Sequence, residues 1–327
     1  MQKTAGLIKK KALELLENGT VSRVLAWSRN GDFIYEVSPA FFEKDNIDDM
    51  IFDSFCGANL SKYLIKACKE QQEGKILVVL KPCDTYSFNE LLCEHRIERE
   101  KIFVLAVPCS GMIDSEKLSK KGFSCVSKVI DGKDSVDVFS LDGEQSVKKS
   151  DVLLEKCLCC KGSEPVAYDE IIESDGEMLE SADRFAGVEE LESMTPDERF
   201  AFWQNELSKC IRCNACRNVC PACSCMKCVF DNPNSGVASK ANDDSFEEKL
   251  FHIIRAFHVA GRCTDCGECS RVCPQGIPIH LLNRKFIKDI NALYGEYQAG
   301  KDPNSRAPLV NYKNEDAEPS IVEERGN

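Results

Sequence analysis

Apolar residues recur at helical spacing near the start of the chain, and this pattern predicts an amphipathic helix over residues 3–17. Asn18 and Gly19 favour a helix end, and the residues that follow predict a strand over 21–27. A second helical pattern covers residues 61–72. The chain therefore begins as a mixed α/β structure.

Two short runs of strand-forming residues, at 75–81 and 101–107, flank a helical segment around 88–95. This order of strand, helix and strand predicts neighbouring parallel strands. Each run is followed by Pro-Cys, which places Cys83 and Cys109 just after the two strands. Because a right-handed crossover sets parallel strands side by side, we expect both thiols at the same carboxyl edge of the sheet, where open α/β sheets carry their sites.

Three helices are predicted in the last part of the chain. A capping box at Thr195 and Glu198 opens the first, and another at Ser245 and Glu248 opens the second. The third runs from about 279 to 293. The residues expected on the buried faces of the first two helices are Phe200, Trp203 and Leu207, and Leu250, Ile253, Ile254 and Phe257.

The chain of 327 residues carries 20 cysteines, far more than packing alone requires. Since reducing compartments do not keep disulfides, clustered cysteines there bind metals or perform redox chemistry. The sequence shows no apolar run long enough for a membrane helix and no signal core, which predicts a cytoplasmic protein without membrane insertion. The formal charge of -12 disfavours nucleic acid as a partner.

Two cysteine motifs share the spacing C-x2-C-x2-C-x3-C-P. In two-cluster ferredoxins the first three cysteines of such a motif bind one 4Fe-4S cluster, and the fourth binds the other cluster. The predicted ligands are therefore Cys210, Cys213, Cys216 and Cys273 for one cluster, and Cys263, Cys266, Cys269 and Cys220 for the other. The alternative, a pair of zinc sites, requires pairs of cysteines rather than triplets.

A further group of thiols comprises Cys157, Cys159 and Cys160. Cys157 and Cys160 have the two-residue gap that chelates one metal centre, and with Cys83 and Cys109 they make four thiolates. The alternative is that these cysteines are small buried residues.

Cys223, Cys225 and Cys228 follow the first ferredoxin motif directly. They are either ligands of an extra cluster or zinc ion, with a fourth ligand from elsewhere, or thiols that pack beside the clusters. The cysteines predicted to lie mostly in the core are Cys56, Cys68, Cys93, Cys125 and Cys159. Helix-surface or packing roles are predicted for the histidines, His95, His252, His258 and His280, which show no chelating spacing.

Several of these segments resemble known families. The segments 81–84, 107–111, 156–160, 164–165 and 168–169 are similar to the beta-subunit family of deazaflavin-reducing hydrogenases and formate dehydrogenases. The run from 210 to 228, with its distant second motif, resembles the ferredoxin-like component of anaerobic sulfite reductase and the beta subunit of archaeal sulfhydrogenase.

The first resemblance implies a 4Fe-4S cluster on Cys83, Cys109, Cys157 and Cys160. The chain departs from the family pattern at Cys159, which leaves Cys159 and Cys160 as alternative ligands. Hydrogenase beta subunits of this family also carry a flavin, either FAD or FMN, but this chain shows no Gly-x-Gly and no phosphate-cradling loop.

Together the patterns predict an α/β N-terminal domain with a mostly parallel sheet and a mainly helical C-terminal ferredoxin-like domain with two 4Fe-4S motifs. The predicted bounds are 1–165 for the α/β cluster-binding domain, 166–195 for an acidic connection, 196–298 for the two-cluster domain and 299–327 for an extended tail.

The expected function is that of an iron-sulfur electron-transfer subunit in an anaerobic cytoplasmic oxidoreductase complex. Its catalytic partner is expected to be of the hydrogenase, formate dehydrogenase, heterodisulfide reductase or sulfite reductase type. One alternative is a flavin-containing beta subunit that itself oxidises or reduces a deazaflavin or NAD(P)H. The other is a zinc-stabilised scaffold.

Overall fold

A computed structural model describes residues 2–71, 73–162, 164–173, 182–232, 234 and 245–310. Its strands are β1 (Val21–Arg29), β2 (Val37–Phe42), β3 (Met50–Ile51), β4 (Lys75–Leu80), β5 (Ile102–Ala106), β6 (Lys128–Asp131), β7 (Ser135–Ser140), β8 (Gly143–Lys148) and β9 (Glu170–Ile171). Its α-helices are α1 (Gln2–Glu17), α2 (Ser61–Glu70), α3 (Pro82–Cys93), α4 (Ser115–Lys120), α5 (Glu155–Leu158), α6 (Ala186–Ser193), α7 (Pro196–Ser208), α8 (Ala215–Asn218), α9 (Ser245–His258), α10 (Glu268–Arg271) and α11 (Ile279–Tyr294).

The main sheet has the strand order β2-β1-β4-β5-β9, and β3 pairs with β1. Strands β1, β4, β5 and β9 are parallel, whereas β2 and β3 run antiparallel to β1. Every residue of β4 after Lys75 is buried, which is typical of a parallel strand covered on both faces. The mostly parallel sheet that the sequence predicted is therefore confirmed.

Strands β4 and β5 pair in register from Ile76 with Ile102 to Leu80 with Ala106, so the chain leaves both strands at the same level. Helix α3 then begins at Pro82, earlier than the predicted start near residue 88. Proline suits the first position of a helix because its φ is already helical and no N–H is lost. Cys83 consequently lies in the first turn of α3.

A second, antiparallel sheet of β6, β7 and β8 follows, and the sequence did not predict it. Its buried residues are few, chiefly Val136 and Val138 on β7, while β8 is almost wholly exposed. Cys125 precedes this sheet and is exposed, so the prediction of a core role for Cys125 is wrong. Cys56 and Cys68 are buried as predicted, and Cys93 and Cys159 are half-buried.

The predicted acidic connection contains regular structure. Strand β9 extends the main sheet alongside β5, and α6 lies against α11. Lys288 on α11 forms ion pairs with Glu189 at 3.1 Å and with Glu192 at 2.6 Å. Part of the acidic composition thus serves contacts within the fold.

Helix α7 begins as predicted, because the Thr195 N–H donates to the Glu198 carboxylate at 2.9 Å and the Glu198 N–H donates to the Thr195 hydroxyl at 3.3 Å. Leu207 is buried and Trp203 is half-buried. Phe200, which was predicted on the buried stripe, is 63% exposed, so that part of the prediction is wrong. The helix is held mainly through its last turn, next to Cys210.

Helix α9 also begins at the predicted residue, although the side chains of the predicted capping box, Ser245 and Glu248, lie outside the described residues. Its buried face differs from the prediction, since Ile253 and Phe257 are exposed. The residues that the helix buries are Phe251, His252, Arg255 and Ala256. Polar residues occupy this face because it lies against the cysteine motifs.

The start of the predicted tail packs against α3. Gly300 has a φ of +74°, and a Cβ atom there would lie 1.9 Å from the Tyr86 carbonyl oxygen. The Cys93 thiol donates to the Pro303 carbonyl at 3.0 Å. Residues 311–327 lie outside the described residues. In the part of the chain that is described, no helix has the length and apolar character needed to cross a bilayer.

Candidate metal centres

The two ferredoxin motifs share an unusual backbone. In the first, Arg212 and Asn214 have φ values of +54° and +60°, and in the second, Asp265 and Gly267 have values of +54° and +66°. These residues flank the middle cysteine of each triplet. Left-handed residues on both sides of Cys213 and of its counterpart curl each loop so that its thiols face one volume.

Matching hydrogen bonds stabilise both loops. The Arg212 N–H donates to Cys210 Sγ at 3.4 Å, and the Asp265 N–H donates to Cys263 Sγ at 3.4 Å. The short helices α8 and α10 then bury the third cysteine of each motif. Donors aimed at sulfur favour a negatively charged ligand atom, as a cluster requires.

Thiols from both motifs line one cavity, which we name the first ferredoxin site. Its cysteines are Cys210, Cys213, Cys216 and Cys273. Phe251, Ile277 and Ile279 complete much of its wall. The structure thus brings together the four cysteines that the crossed assignment predicts.

The other four cysteines form the second ferredoxin site, which comprises Cys220, Cys263, Cys266 and Cys269. Burial, reinforced by the charges of Glu268 and Cys220, raises the pKa of Cys266 to about 12. The charge of Cys220 also raises the pKa of Cys263 and of Cys269, after burial as the main cause. Cys220 therefore lies close to the triplet of the opposite motif.

A third group, the sheet-edge site, comprises Cys83, Cys109, Cys157 and Cys160, which line one cavity. Cys83 and Cys109 follow β4 and β5, and Cys157 lies on α5. The Met112 N–H donates to Cys157 Sγ at 3.3 Å. The parallel register of the strands therefore brings the first two thiols to the same edge, as the sequence predicted.

The alternative ligands at this site have different surroundings. Burial raises the pKa of Cys109 to about 12, and the charges of Cys157 and Cys160 contribute to that effect. Cys159 also lines the cavity, but its charged neighbours include Arg284. These contacts favour Cys160 over Cys159 as the fourth thiol.

The sheet-edge and second ferredoxin sites share a wall, because Cys266 also lines the sheet-edge cavity. Beside it, Lys156 Nζ lies 2.5 Å from a Glu268 carboxylate oxygen, and Arg271 pairs with the same carboxylate at 2.8 Å. The Asn59 N–H donates to Glu268 at 3.1 Å. The only sequence signal for this buried network is that Lys156 and Glu268 each precede a cysteine ligand.

Arg255 was also missed by the sequence patterns. It is 3% exposed, and its guanidinium donates to the Cys216 carbonyl at 3.1 Å. Its charge lowers the pKa of Cys216, Cys220 and Cys269, which places it between the two ferredoxin sites. No carboxylate pairs with it, and its Nε has no hydrogen-bond partner, among the described residues.

An isolated buried cation is costly, and thiolate-bound iron-sulfur clusters carry the negative charge that would balance it. The neighbouring His252 is buried against the first ferredoxin site, and neither ring nitrogen has a partner in the described part of the chain. Both observations fit 4Fe-4S clusters held by these cysteines.

Comparison with known proteins agrees with this geometry. A profile described as a 4Fe-4S dicluster domain matches residues 206–277, which contain both motifs. The F420-dependent formate dehydrogenase subunit beta of Methanocaldococcus jannaschii is 25% identical across 91% of this chain and 92% of that protein. The chain belongs to the beta-subunit family of deazaflavin-reducing hydrogenases and formate dehydrogenases.

Two further relatives extend the comparison for this beta-subunit family member. The F420-dependent formate dehydrogenase 1 subunit beta of Methanococcus maripaludis is 23% identical over 90% of both chains. Putative ferredoxin-3 of Sinorhizobium fredii is 34% identical over 24% of this chain and 75% of that protein. The predicted family and the predicted iron-sulfur domain are confirmed.

Proposed function

We propose that this beta-subunit family member passes single electrons along three 4Fe-4S clusters within an oxidoreductase complex. Their order is the sheet-edge site, the second ferredoxin site and the first ferredoxin site. The observation that carries this proposal is that Cys266, a predicted ligand of the second site, also lines the sheet-edge cavity. Neighbouring sites with shared walls suit short-range electron transfer.

A 4Fe-4S cluster accepts or releases one electron, at a potential set by its type, charge, hydrogen bonds and exposure. The chain supplies the thiolates, the backbone N–H groups directed at sulfur and the buried charge of Arg255. Apolar walls at the first ferredoxin site exclude water. These residues bind the clusters and adjust their potentials.

The partner follows from the relatives. Both beta-subunit relatives are named as subunits of formate dehydrogenases, so we propose a catalytic partner of that type. Hydrogenase, heterodisulfide reductase and sulfite reductase types are the other candidates. A reducing, cytoplasmic setting is part of the proposal, supported by 20 cysteines without a disulfide.

Metal and flavin analysis of the anaerobically purified chain tests this function. Three clusters give at least about 12 irons per chain, with matching sulfide and a visible absorption band. Fewer than about eight irons would contradict the ferredoxin assignment. One flavin per chain would favour the hydride-transferring alternative, and a colourless zinc protein would favour the scaffold.

A further inference from the structure

Three cysteines outside these sites line a common cavity of about 450 Å³ beside the second ferredoxin site. They are Cys223, Cys225 and Cys228, and we name this volume the Cys223 cavity. Cys225 is exposed, and the other two are half-buried. Thiols packed as small core residues would be enclosed by apolar side chains, whereas these three face an open volume with polar walls.

The walls of the Cys223 cavity are strongly cationic. Its basic side chains are Lys62, Arg217, Lys227, Arg255 and Arg262. Its one carboxylate among the described residues, Asp231, pairs with Arg217 at 3.0 Å. In a protein with a formal charge of -12, this concentration of positive charge indicates that the cavity holds an anionic group.

Two of the cations contact the thiols directly. The Arg217 side chain lies within hydrogen-bonding reach of the Cys228 thiol, and Arg255 within reach of the Cys223 thiol. The buried Nε of Arg255 lacks a partner in the described part of the chain. Guanidinium groups beside thiols favour thiolates, the form that binds metal.

We propose that Cys223, Cys225 and Cys228 hold a fourth iron-sulfur cluster in the Cys223 cavity. Their C-x-C-x2-C spacing supplies three thiolates, and His258 lines the same cavity as a candidate fourth ligand. A zinc ion would draw its ligands to roughly 2.0–2.3 Å and close the cavity, whereas a cluster fills a larger volume. Its charge is balanced by the surrounding cations.

The location extends the row of sites. The Cys223 thiol is in hydrogen-bonding contact with the Cys220 thiol, so the Cys223 cavity adjoins the second ferredoxin site. That site would therefore have a neighbouring cluster on three sides. The cavity is also open to solvent at Cys225, which places the fourth cluster nearer the surface.

Iron and sulfide analysis of the whole chain, purified anaerobically and reconstituted, tests the fourth cluster. We expect about 16 irons per wild-type chain and about four fewer in a Cys225→Ser/Cys228→Ser variant. This variant keeps Cys223, and with it the contact to Cys220. Cys125→Ser, an exposed thiol outside all four sites, is the matched control and should lose no iron.

A wild-type content of about 12 irons, unchanged in the double variant, would overturn the proposal, and the wild-type value stands even if the variant fails to fold. About one zinc per chain, lost in the variant, would also overturn it. Electron paramagnetic resonance of the reduced variant should retain the ferredoxin signals. An empty sheet-edge site is distinguishable, because Cys83→Ala would then leave the iron content unchanged.

Discussion

Replacing Glu268 by Gln should strongly destabilise the junction between the sheet-edge and second ferredoxin sites. Glu268 is 1% exposed and accepts from Lys156, Arg271 and the Asn59 N–H. The substitution keeps the shape of the side chain but removes its charge. Lys156, whose side chain is 5% exposed, is then buried without a counter-charge.

Removing one partner of a buried ion pair costs about 3–5 kcal/mol, because the remaining charge stays out of water. At about 2 °C per kcal/mol for a chain of this size, the thermal midpoint should fall by roughly 6–10 °C. The assay is anaerobic thermal unfolding, followed by circular dichroism and by the visible absorption of the clusters. Both signals should move together, since Glu268 lies between two metal sites.

The control is Glu189→Gln, the same substitution in an ion pair on the surface. Glu189 is 55% exposed in its side chain and lies 3.1 Å from Lys288. An exposed pair contributes about 0–1 kcal/mol, so its midpoint should shift by no more than about 2 °C. If Glu268→Gln shifted the midpoint no more than this control, the reasoning about the buried network would be refuted.

Three other substitutions test separate features. Cys83→Ala should remove about four irons and leave both ferredoxin clusters intact, and loss of every cluster in iron analysis would contradict the independence of the sheet-edge site. Arg255→Met should lower the ferredoxin potentials in a redox titration, because about 2 kcal/mol of attraction for the added electron, roughly 80 mV, is lost; Arg255→Lys should restore them, and unchanged potentials would exclude the electrostatic role. Burial, reinforced by the charge of Glu94, raises the pKa of Glu90 to about 8, so its contribution to stability is full below about pH 4.5 and is lost as the pH rises through 8. Melting curves should therefore show Glu90→Gln gaining stability over wild type between about pH 5 and 8, and a constant difference would show that the carboxyl does not titrate there.

Local patterns in the sequence determined the main elements of both parts of the chain. A continuous apolar run predicts β4 because a strand buried on both faces must be apolar throughout. The capping box of α7 and the cysteine spacing of the ferredoxin motifs are equally local, since each depends on residues a few positions apart. These features indicated the family before any fold was known.

Weak or misleading local patterns account for the errors. The strands β6 to β8 bury few side chains, so their alternation is faint, and Phe200 has helical spacing without a neighbour to cover it. On α9, the apolar spacing selected a face that includes the exposed Ile253 and Phe257. The true buried face carries Arg255, which a hydrophobic pattern cannot identify.

Tertiary structure alone decided which thiols share a cavity and which charges accompany them. Lys156 meets Glu268 across a long stretch of chain, and Cys266 joins the wall of a site built by another part of the sequence. Such contacts depend on how the elements dock, and no local periodicity encodes docking. The sequence by itself therefore determined the ligand types and their spacing, whereas the tertiary structure decided their grouping and the buried charges around them.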